Sequence, residues 1–136
     1  MATISYEELE RRHLVGVIEM CRNEGWDSYL SDSERTFRAL SAPGVVTLVA
    51  TASGAVCGFA QVLTDGEIRA YLTNVMVAVD LRRQGVGRRL IEEAFARAGA
   101  RYLDLLSDPS AEAMYTSFPG YRRMQGFRIY PSSPPR

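Results

Sequence analysis

The sequence predicts an α/β fold in which a mixed, mostly antiparallel sheet is flanked by helices. Three apolar stretches, 45–52, 56–63 and 68–79, follow one another across the short turns 53–54 and 65–66, as in an antiparallel meander. The third stretch runs into a glycine turn, after which the apolar residues take helical spacing: Leu90, Ile91, Ala94, Phe95 and Ala98. A strand that leads through a tight turn into a helix is typical of α/β proteins.

The N-terminal segment is predicted to be helical. Ser5 and Glu8 have the spacing of a capping box, which would open a helix that ends near Gly25. His13 lies close to the apolar stripe of this helix. We interpret it as a partly exposed structural histidine rather than a catalytic one.

A second, shorter helix is predicted from another capping box at 31–34. It should run through Leu40 and stop before Pro43, because the residue before a proline avoids helical geometry. The aromatic segment 26–30 between the two helices reads as a loop. It could be a structural plug or one wall of a substrate pocket.

The C-terminal part continues the alternation of strands and helices. Residues 102–107 form a short apolar strand pattern, and Ser110 is placed to cap the next helix. A last strand is predicted near 127–130, followed by a frayed tail at 131–136.

Size and composition indicate a single domain over residues 1–136, with an apolar fraction of 46%. The formal net charge is zero, which argues against a general nucleic-acid partner. No apolar run approaches the roughly 20 residues of a membrane span, and the N-terminus lacks a signal-peptide pattern, so we expect a cytoplasmic protein. Cys21 and Cys57 have no metal or redox spacing, so we expect free thiols and no metal.

The glycine turn at 82–87 has the character of an anion site. Its glycines let a bulky anion approach the backbone, and the first amides of the following helix lack internal partners. Arginines stand on both sides of the turn: Arg82, Arg83, Arg88 and Arg89. A dinucleotide fingerprint does not fit, because Leu90 occupies the third small position. A phosphate loop does not fit either, because all 16 basic residues are arginine and none is lysine.

These residues resemble the GNAT acyltransferases, whose pyrophosphate loop reads Arg/Gln-x-x-Gly-x-Gly/Ala at the end of the fourth strand. Arg82-Arg83-Gln84-Gly85-Val86-Gly87 matches that pattern at each defined position. The order of elements is similar over roughly 42–130. Several short segments resemble those of small bacterial members most closely: Gly-Trp-x-Ser-Tyr, Asp-Leu-Leu-Ser-Asp and Gly-Phe-Arg-x-Tyr-Pro.

The resemblance implies a sheet splayed between strands 4 and 5, with acetyl-CoA lying in the gap. It assigns the pantetheine arm to the backbone of Val75, Met76 and Val77. It assigns the pyrophosphate to the loop and the helix start, namely Arg83, Gln84, Gly85, Val86, Gly87 and Arg88. Asp108 lies where members often carry an asparagine that contacts the cofactor; as a carboxylate before Pro109 it could equally be a helix-start residue.

Tyr115 matches the family tyrosine that protonates the departing thiolate. It lies seven residues past Asp108, which is the usual family spacing, although Pro119 is then an insertion in the motif that follows. A rival alignment through Gly126-Phe127 would put Arg122 at the acid position instead.

The reaction implied is direct transfer of an acetyl group from acetyl-CoA to an amine in a ternary complex, with Tyr115 as general acid. The acceptor would be a small-molecule or peptide amine, and homodimers are common in the family. Three residues are candidates for a base that accepts the amine proton: Glu67, Asn74 through a water, and Asp104. Because no base stands out, a non-catalytic acyl-CoA-binding or sensor domain with the same fold is the alternative function.

Overall fold

The computed structural model describes residues 3–132, which divide into two compact units after Leu105. The first unit contains a five-stranded sheet in the order β1-β2-β3-β4-β5. Neighbouring strands are antiparallel except β4 and β5, which are parallel. The strands are Ile4–Glu8 (β1), Val45–Ala52 (β2), Ala55–Thr64 (β3), Arg69–Val77 (β4) and Tyr102–Leu105 (β5). The predicted mixed, mostly antiparallel sheet is confirmed.

Three helices cover this sheet from its two faces. Helices α1 (Leu14–Glu24) and α2 (Ser33–Ser41) pack on one face, and α3 (Val86–Ala98) packs on β2, β3 and β4. The core under α1 and α2 joins helix and strand side chains that are almost fully buried: Val17, Cys21, Leu40, Val49, Phe59 and Met76. On the α3 side a Cβ at Gly58 would lie 3.0 Å from the Met76 carbonyl oxygen and 3.2 Å from Leu90, tighter than usual contacts, so the close approach of the helix favours glycine here.

The helix predicted to start at Ser5 is wrong. Residues 4–8 form β1, and Tyr6 lies opposite Ala50 of β2. The helical segment begins after Glu10, whose N–H donates to Nδ1 of His13 at 2.9 Å. A strand partner far along the chain thus outweighs a capping pattern of four residues, since the ladder satisfies a whole row of peptide groups. The predicted helix end at Gly25 is confirmed, with φ +73°.

His13 is 2% exposed, not partly exposed as expected. Because its Nδ1 accepts from Glu10, its Nε2 carries the proton and donates to Glu7 at 3.0 Å. The histidine therefore ties the end of β1 to the start of the first helix. This arrangement supports the structural interpretation.

The second predicted helix is confirmed, with one correction at its start. Asp32, not Ser31, is the N-cap, and its Oδ1 accepts from the N–H of Arg35 at 3.1 Å. The helix ends at Ser41, before Pro43.

The second unit, described to residue 132, is short and has little regular structure. A 3-10 turn at Pro109–Ala111 leads into the helix α4, Glu112–Thr116. Ser110 lies inside that turn and caps nothing, which corrects its expected role. The strand expected at 127–130 is absent from the described part of the chain. A strand needs a partner to take up its peptide groups, and 127–130 pairs with no strand of the sheet. Of the tail expected to fray, 133–136 lie outside the described residues.

Candidate functional site

The strands β4 and β5 part halfway along β4. Their pairing runs only from Arg69 opposite Tyr102 to Leu72 opposite Leu105. Within the sheet of the first unit, residues 73–77 of β4 therefore have a neighbour on one side only. This opening matches the splay that the family resemblance implies.

A β-bulge marks the same point. Gln61 of β3 lies opposite Asn74, whereas Val62 lies opposite Leu72, so Thr73 is the extra residue. Its hydroxyl lies 3.2 Å from the Gln61 carbonyl oxygen and 2.7 Å from Gln61 Oε1. The bulge turns the strand just where β5 leaves it, and it re-aims the side chains that follow.

The peptide groups of β4 alternate between β3 and the gap. The N–H of Ala78 donates to the carbonyl of Cys57 on β3 at 2.8 Å. Two residues back, Met76 faces Phe59 of β3 in the same way, so Val75 and Val77 are directed to the gap. The Val77 carbonyl fits this direction, since it accepts from Nε of Arg82 at 3.0 Å.

The glycine loop opens α3 with its amides free. Arg83 and Gly85 both have left-handed backbones, with φ of +62° and +83°. Gly85 is the N-cap of α3, no side chain caps that helix, and the first helical bond runs from Arg89 N–H to the Gly85 carbonyl at 3.0 Å. Among residues 3–132, the N–H groups of 84–87 donate no backbone hydrogen bond outside the regular helices and strands. A Cβ on Gly85 would meet nothing within 4 Å, so the space in front of these amides is open.

Such a cluster of amides at the positive end of a helix suits a phosphate or diphosphate. The loop residues therefore fit the diphosphate that the resemblance implies. Residues 84–87 would contribute backbone amides, which do not depend on side-chain identity.

Three of the four arginines near the loop are engaged elsewhere. Arg82 pairs with Glu24 as well as with the Val77 carbonyl. Arg88 lies 3.5 Å from a carboxylate of its own helix, and Arg89 lies 2.9 Å from Glu93. Arg83 has no ion pair within residues 3–132. Most of the local positive charge is thus already balanced, and the amides carry a larger share of the site than the sequence suggested.

Asp108 and Tyr115 both lie in the second unit. Asp108 precedes the 3-10 turn, and its carbonyl accepts from Ala111 N–H at 2.9 Å. Tyr115 lies within α4 and is half-buried. Burial raises the pKa of Tyr115 above its ordinary value, and the negative charge of Asp108 raises it further. By contrast, Arg122 of the rival alignment lies in an exposed, irregular segment.

Of the three base candidates, only Asn74 lies where the strands part. Glu67 is exposed in the turn before β4, held by its own N–H to Asp65 Oδ1 at 2.8 Å. Asp104 is exposed on β5 and pairs with Arg69 at 3.4 Å. Neither carboxylate is placed to take a proton at the gap.

Sequence reasoning missed the side chains that surround Asn74. Its Nδ2 donates to Gln61 Oε1 at 3.1 Å and to the hydroxyl of Tyr29. Tyr29 lies 45 positions away in the chain, and no local spacing signals that contact.

Two other kinds of functional segment are absent from residues 3–132. No helix there is long and apolar enough to span a bilayer. No group of three or more His, Cys, Asp or Glu side chains in that range is arranged to bind a metal ion.

The sequence matches the family described as "Acetyltransferase (GNAT) domain" over residues 43–123. No curated protein matches it. Among solved structures, the chain is similar to the aminoglycoside acetyltransferase meta-AAC0020 from an uncultured soil metagenomic sample, with 19% identity, a TM-score of 0.75 and 96% of each chain covered.

Two other structures are similar in the same way. A transcriptional regulator from Bacillus halodurans C-125 has 18% identity and a TM-score of 0.79, covering 94% of this chain and 99% of its own. The aminoglycoside N-acetyltransferase AAC(6')-Iy, solved in complex with CoA, has 19% identity and a TM-score of 0.71, covering 95% of this chain and 96% of its own. At these identities the likeness concerns the fold.

Proposed function

The chain belongs to the GNAT acetyltransferase family, and from that premise we propose that it transfers an acetyl group from acetyl-CoA directly to the amine of a small-molecule acceptor. One observation carries the proposal: the strand that opens away from β5 leads, at its C-terminal end, into the loop whose amides are free. One element thus offers a bare strand edge and, just beyond it, an anion site. That sequence of groups suits a ligand with a peptide-like arm and a diphosphate.

The proposed binding roles follow from the directions of the backbone groups. The amides at 84–87 would hold the diphosphate, with Arg83 as the cation beside them. Val75 and the N–H of Val77 face the gap and would bond the pantetheine arm. Met76 would contribute through its place in the core, because its peptide groups face β3.

The proposed reaction is a single displacement at the thioester carbonyl. The amine nitrogen bonds to the acyl carbon, the carbon–sulfur bond breaks, the nitrogen loses a proton and the sulfur gains one. Tyr115 would donate the proton to sulfur, since its raised pKa keeps the hydroxyl protonated at neutral pH. An N–H on the open edge of β4 would stabilise the oxyanion that forms at the carbonyl.

For the acceptor, we propose a primary amine of a small polar molecule. The structural neighbours include aminoglycoside acetyltransferases, and aminoglycosides carry several such amines. A peptide amine remains within the same chemistry, because the attacking group is identical.

Two measurements test the proposal. Calorimetry with CoA and acetyl-CoA should give one site per chain. Release of free thiol from acetyl-CoA should then rise on adding one member of a panel that includes sisomicin, a polyamine, free amino acids and a short peptide. Failure to bind CoA would remove the proposal at its first step.

A second candidate is an acyl-CoA-binding or sensor domain that transfers nothing. It is favoured by the placement of Glu67 and Asp104, since neither of these carboxylates lies where β4 and β5 part. Such a domain would bind acetyl-CoA in the calorimeter and release no thiol with any amine of the panel.

A further inference from the structure

A hydrogen-bonded network of polar side chains links α2, β3 and β4 at the point where β4 and β5 part. Gln61 is its centre and is 5% exposed. Its Nε2 donates to the carbonyl of Ala39 on α2 at 3.1 Å, while its Oε1 accepts from Thr73 Oγ1 at 2.7 Å and from Asn74 Nδ2 at 3.1 Å. Buried networks of this kind fix the orientation of every member.

The network determines which end of the Asn74 amide faces outward. A backbone carbonyl can only accept, so the group of Gln61 that faces Ala39 must be its NH2. Gln61 Oε1 is then the acceptor for Asn74, and the atom of Asn74 that faces it must be Nδ2. The carbonyl oxygen Oδ1 of Asn74 is left pointing away from the network.

That oxygen has no partner within residues 3–132. In the same part of the chain no buried side-chain N or O atom lacks a hydrogen bond, so Oδ1 of the half-buried Asn74 is open to solvent. It is a neutral acceptor on a side chain whose other end is fixed.

Tyr29 is a second residue that holds the NH2 group of the Asn74 amide in place. Its hydroxyl accepts from Asn74 Nδ2, its carbonyl accepts from the hydroxyl of buried Thr36 at 3.0 Å, and its ring lies 6.2 Å from that of Trp26. The Trp26 ring in turn meets Phe59 edge-on at 6.5 Å. The aromatic segment between α1 and α2 therefore packs on the core and supports the Asn74 side chain of β4.

Asn74 lies on the face of β4 that also carries α1 and α2. Asn74 precedes Met76 by two residues, and Met76 belongs to the core under α1 and α2, so both side chains lie on that face. The opposite face of β4 is covered by α3. An acceptor that reaches the gap from the α1 and α2 side meets Oδ1 of Asn74.

We propose that Asn74 is an amine-positioning residue, whose Oδ1 accepts a hydrogen bond from the attacking nitrogen while Gln61 and Tyr29 hold its amide in place. The inference rests on the proposed function and adds a specificity to it. The ammonium form has no lone pair and cannot attack, and a neutral acceptor stabilises that form less than a carboxylate does while still orienting the amine. A carboxylate at the same position would bind the amine more tightly and keep more of it protonated.

The chain contains two asparagines, Asn74 and Asn23. The test makes the same two substitutions, to leucine and to aspartate, at each of them. Asn23 is exposed on α1, so Asn23→Leu and Asn23→Asp are matched controls. With the best amine of the panel, Asn74→Leu should lower kcat/KM for the amine about ten-fold, as expected for one lost hydrogen bond, and leave the Kd for acetyl-CoA within about two-fold. Asn23→Leu should change neither value.

Asn74→Asp separates positioning from a purely structural role. Its KM for the amine should fall, and the pH at which kcat reaches half of its maximum should rise, because kcat reports protonation in the bound complex. A side chain that only supports the fold would lower kcat by the same factor at every pH. Asn23→Asp should reproduce the wild-type profile.

The outcomes distinguish this inference from the function on which it rests. No amine-dependent thiol release from the wild type would overturn the proposed function, and the inference with it. Wild-type turnover together with an unaltered kcat/KM in Asn74→Leu, or an unmoved pH profile in Asn74→Asp, would overturn the inference alone.

Discussion

Tyr115 illustrates how the environment of one side chain decides what it can do chemically. Burial is the larger cause of its raised pKa, because the phenolate would lose more hydration than the phenol. Asp108, seven residues earlier, adds a negative charge that also disfavours the phenolate. The two effects act in the same direction, so the hydroxyl holds its proton through neutral pH and to a higher pH than a fully solvated tyrosine does.

Tyr115→Phe should therefore lower kcat by about 100-fold or more while the Kd for acetyl-CoA stays the same. Phenylalanine keeps the ring that is half-buried in α4 and removes only the donor. Thiol-release kinetics and calorimetry on the same preparation give the two numbers. An undiminished kcat would assign the proton donor to another group.

Asp108→Asn tests whether the negative charge of Asp108 contributes to the raised pKa of Tyr115. A general acid is lost as the pH rises through its pKa, so kcat of the wild type should fall at a more alkaline pH than the titration of a fully solvated tyrosine. Removing the charge of Asp108 lowers the pKa of Tyr115, and the alkaline limb should move to lower pH. The shift should be partial, because burial remains. A kcat profile measured from pH 7 to 11 shows the direction, and a shift to higher pH would contradict it.

Gly85 can be tested against a glycine of the same geometry. Gly85 and Gly54 have φ of +83° and +82°, and a Cβ at either would meet nothing within 4 Å. Gly85→Ala and Gly54→Ala should each lose roughly 1–2 kcal/mol of unfolding free energy from left-handed strain, measured in urea. Only Gly85→Ala puts a methyl group in front of the free amides of α3, so it alone should weaken CoA binding, by more than ten-fold. Equal CoA affinity in the two variants would remove the loop from the site.

At the scale of elements, the sequence predicted best where local spacing decides the structure. The meander, the loop at 82–87 and the end of α1 at Gly25 depend on turn glycines and on periodicity within a few residues. The strand β1 was missed, because its partner β2 begins 37 positions after the last residue of β1 and the nearby Ser5 pattern pointed to a helix. The strand at 127–130 was predicted from apolar residues that find no partner in the sheet.

The candidate site likewise has a part that local spacing predicts and a part that depends on distant contacts. Its loop could be predicted, because phosphate-binding amides require glycines at fixed offsets. The bulge at Thr73 and the contact of Tyr29 with Asn74 could not, since each depends on how distant strands and loops come together. The sequence offered Asn74 as one of three candidates for the base that accepts the amine proton. Its position on β4 and its hydrogen bonds to Tyr29 and Gln61 distinguish it from the other two.

Hydrogen exchange tests the alternation of peptide groups along β4. The N–H groups of Val75 and Val77 face the gap, so they should exchange rapidly in the free protein and slow down when CoA is added. The N–H of Met76 faces β3 and should be protected in both states. Residue-resolved NMR exchange gives all three rates in one experiment. Equal protection of the three amides without CoA would contradict the assigned directions.

For the whole molecule, the absence of lysine has a practical consequence. All 16 basic residues are arginine, balanced by 16 acidic ones. A guanidinium remains protonated at assay pH and is not a nucleophile there, so side-chain amines of the protein cannot consume acetyl-CoA. Thiol release in the assays above therefore reports transfer to the added amine, to water or to the α-amino group of the chain, without a background from lysine side chains.

The half-paired strand has a further consequence, for the solubility of the protein. An exposed row of peptide groups can template a strand from another chain, and natural sheets usually protect such edges. Residues 73–77 carry no lysine or proline to deter this, and CoA lying along them would act as a removable cover. Light scattering, recorded at a fixed interval below each sample's melting temperature, should show slower aggregation with CoA than without it. Identical rates would mean that this edge is not where the chains associate.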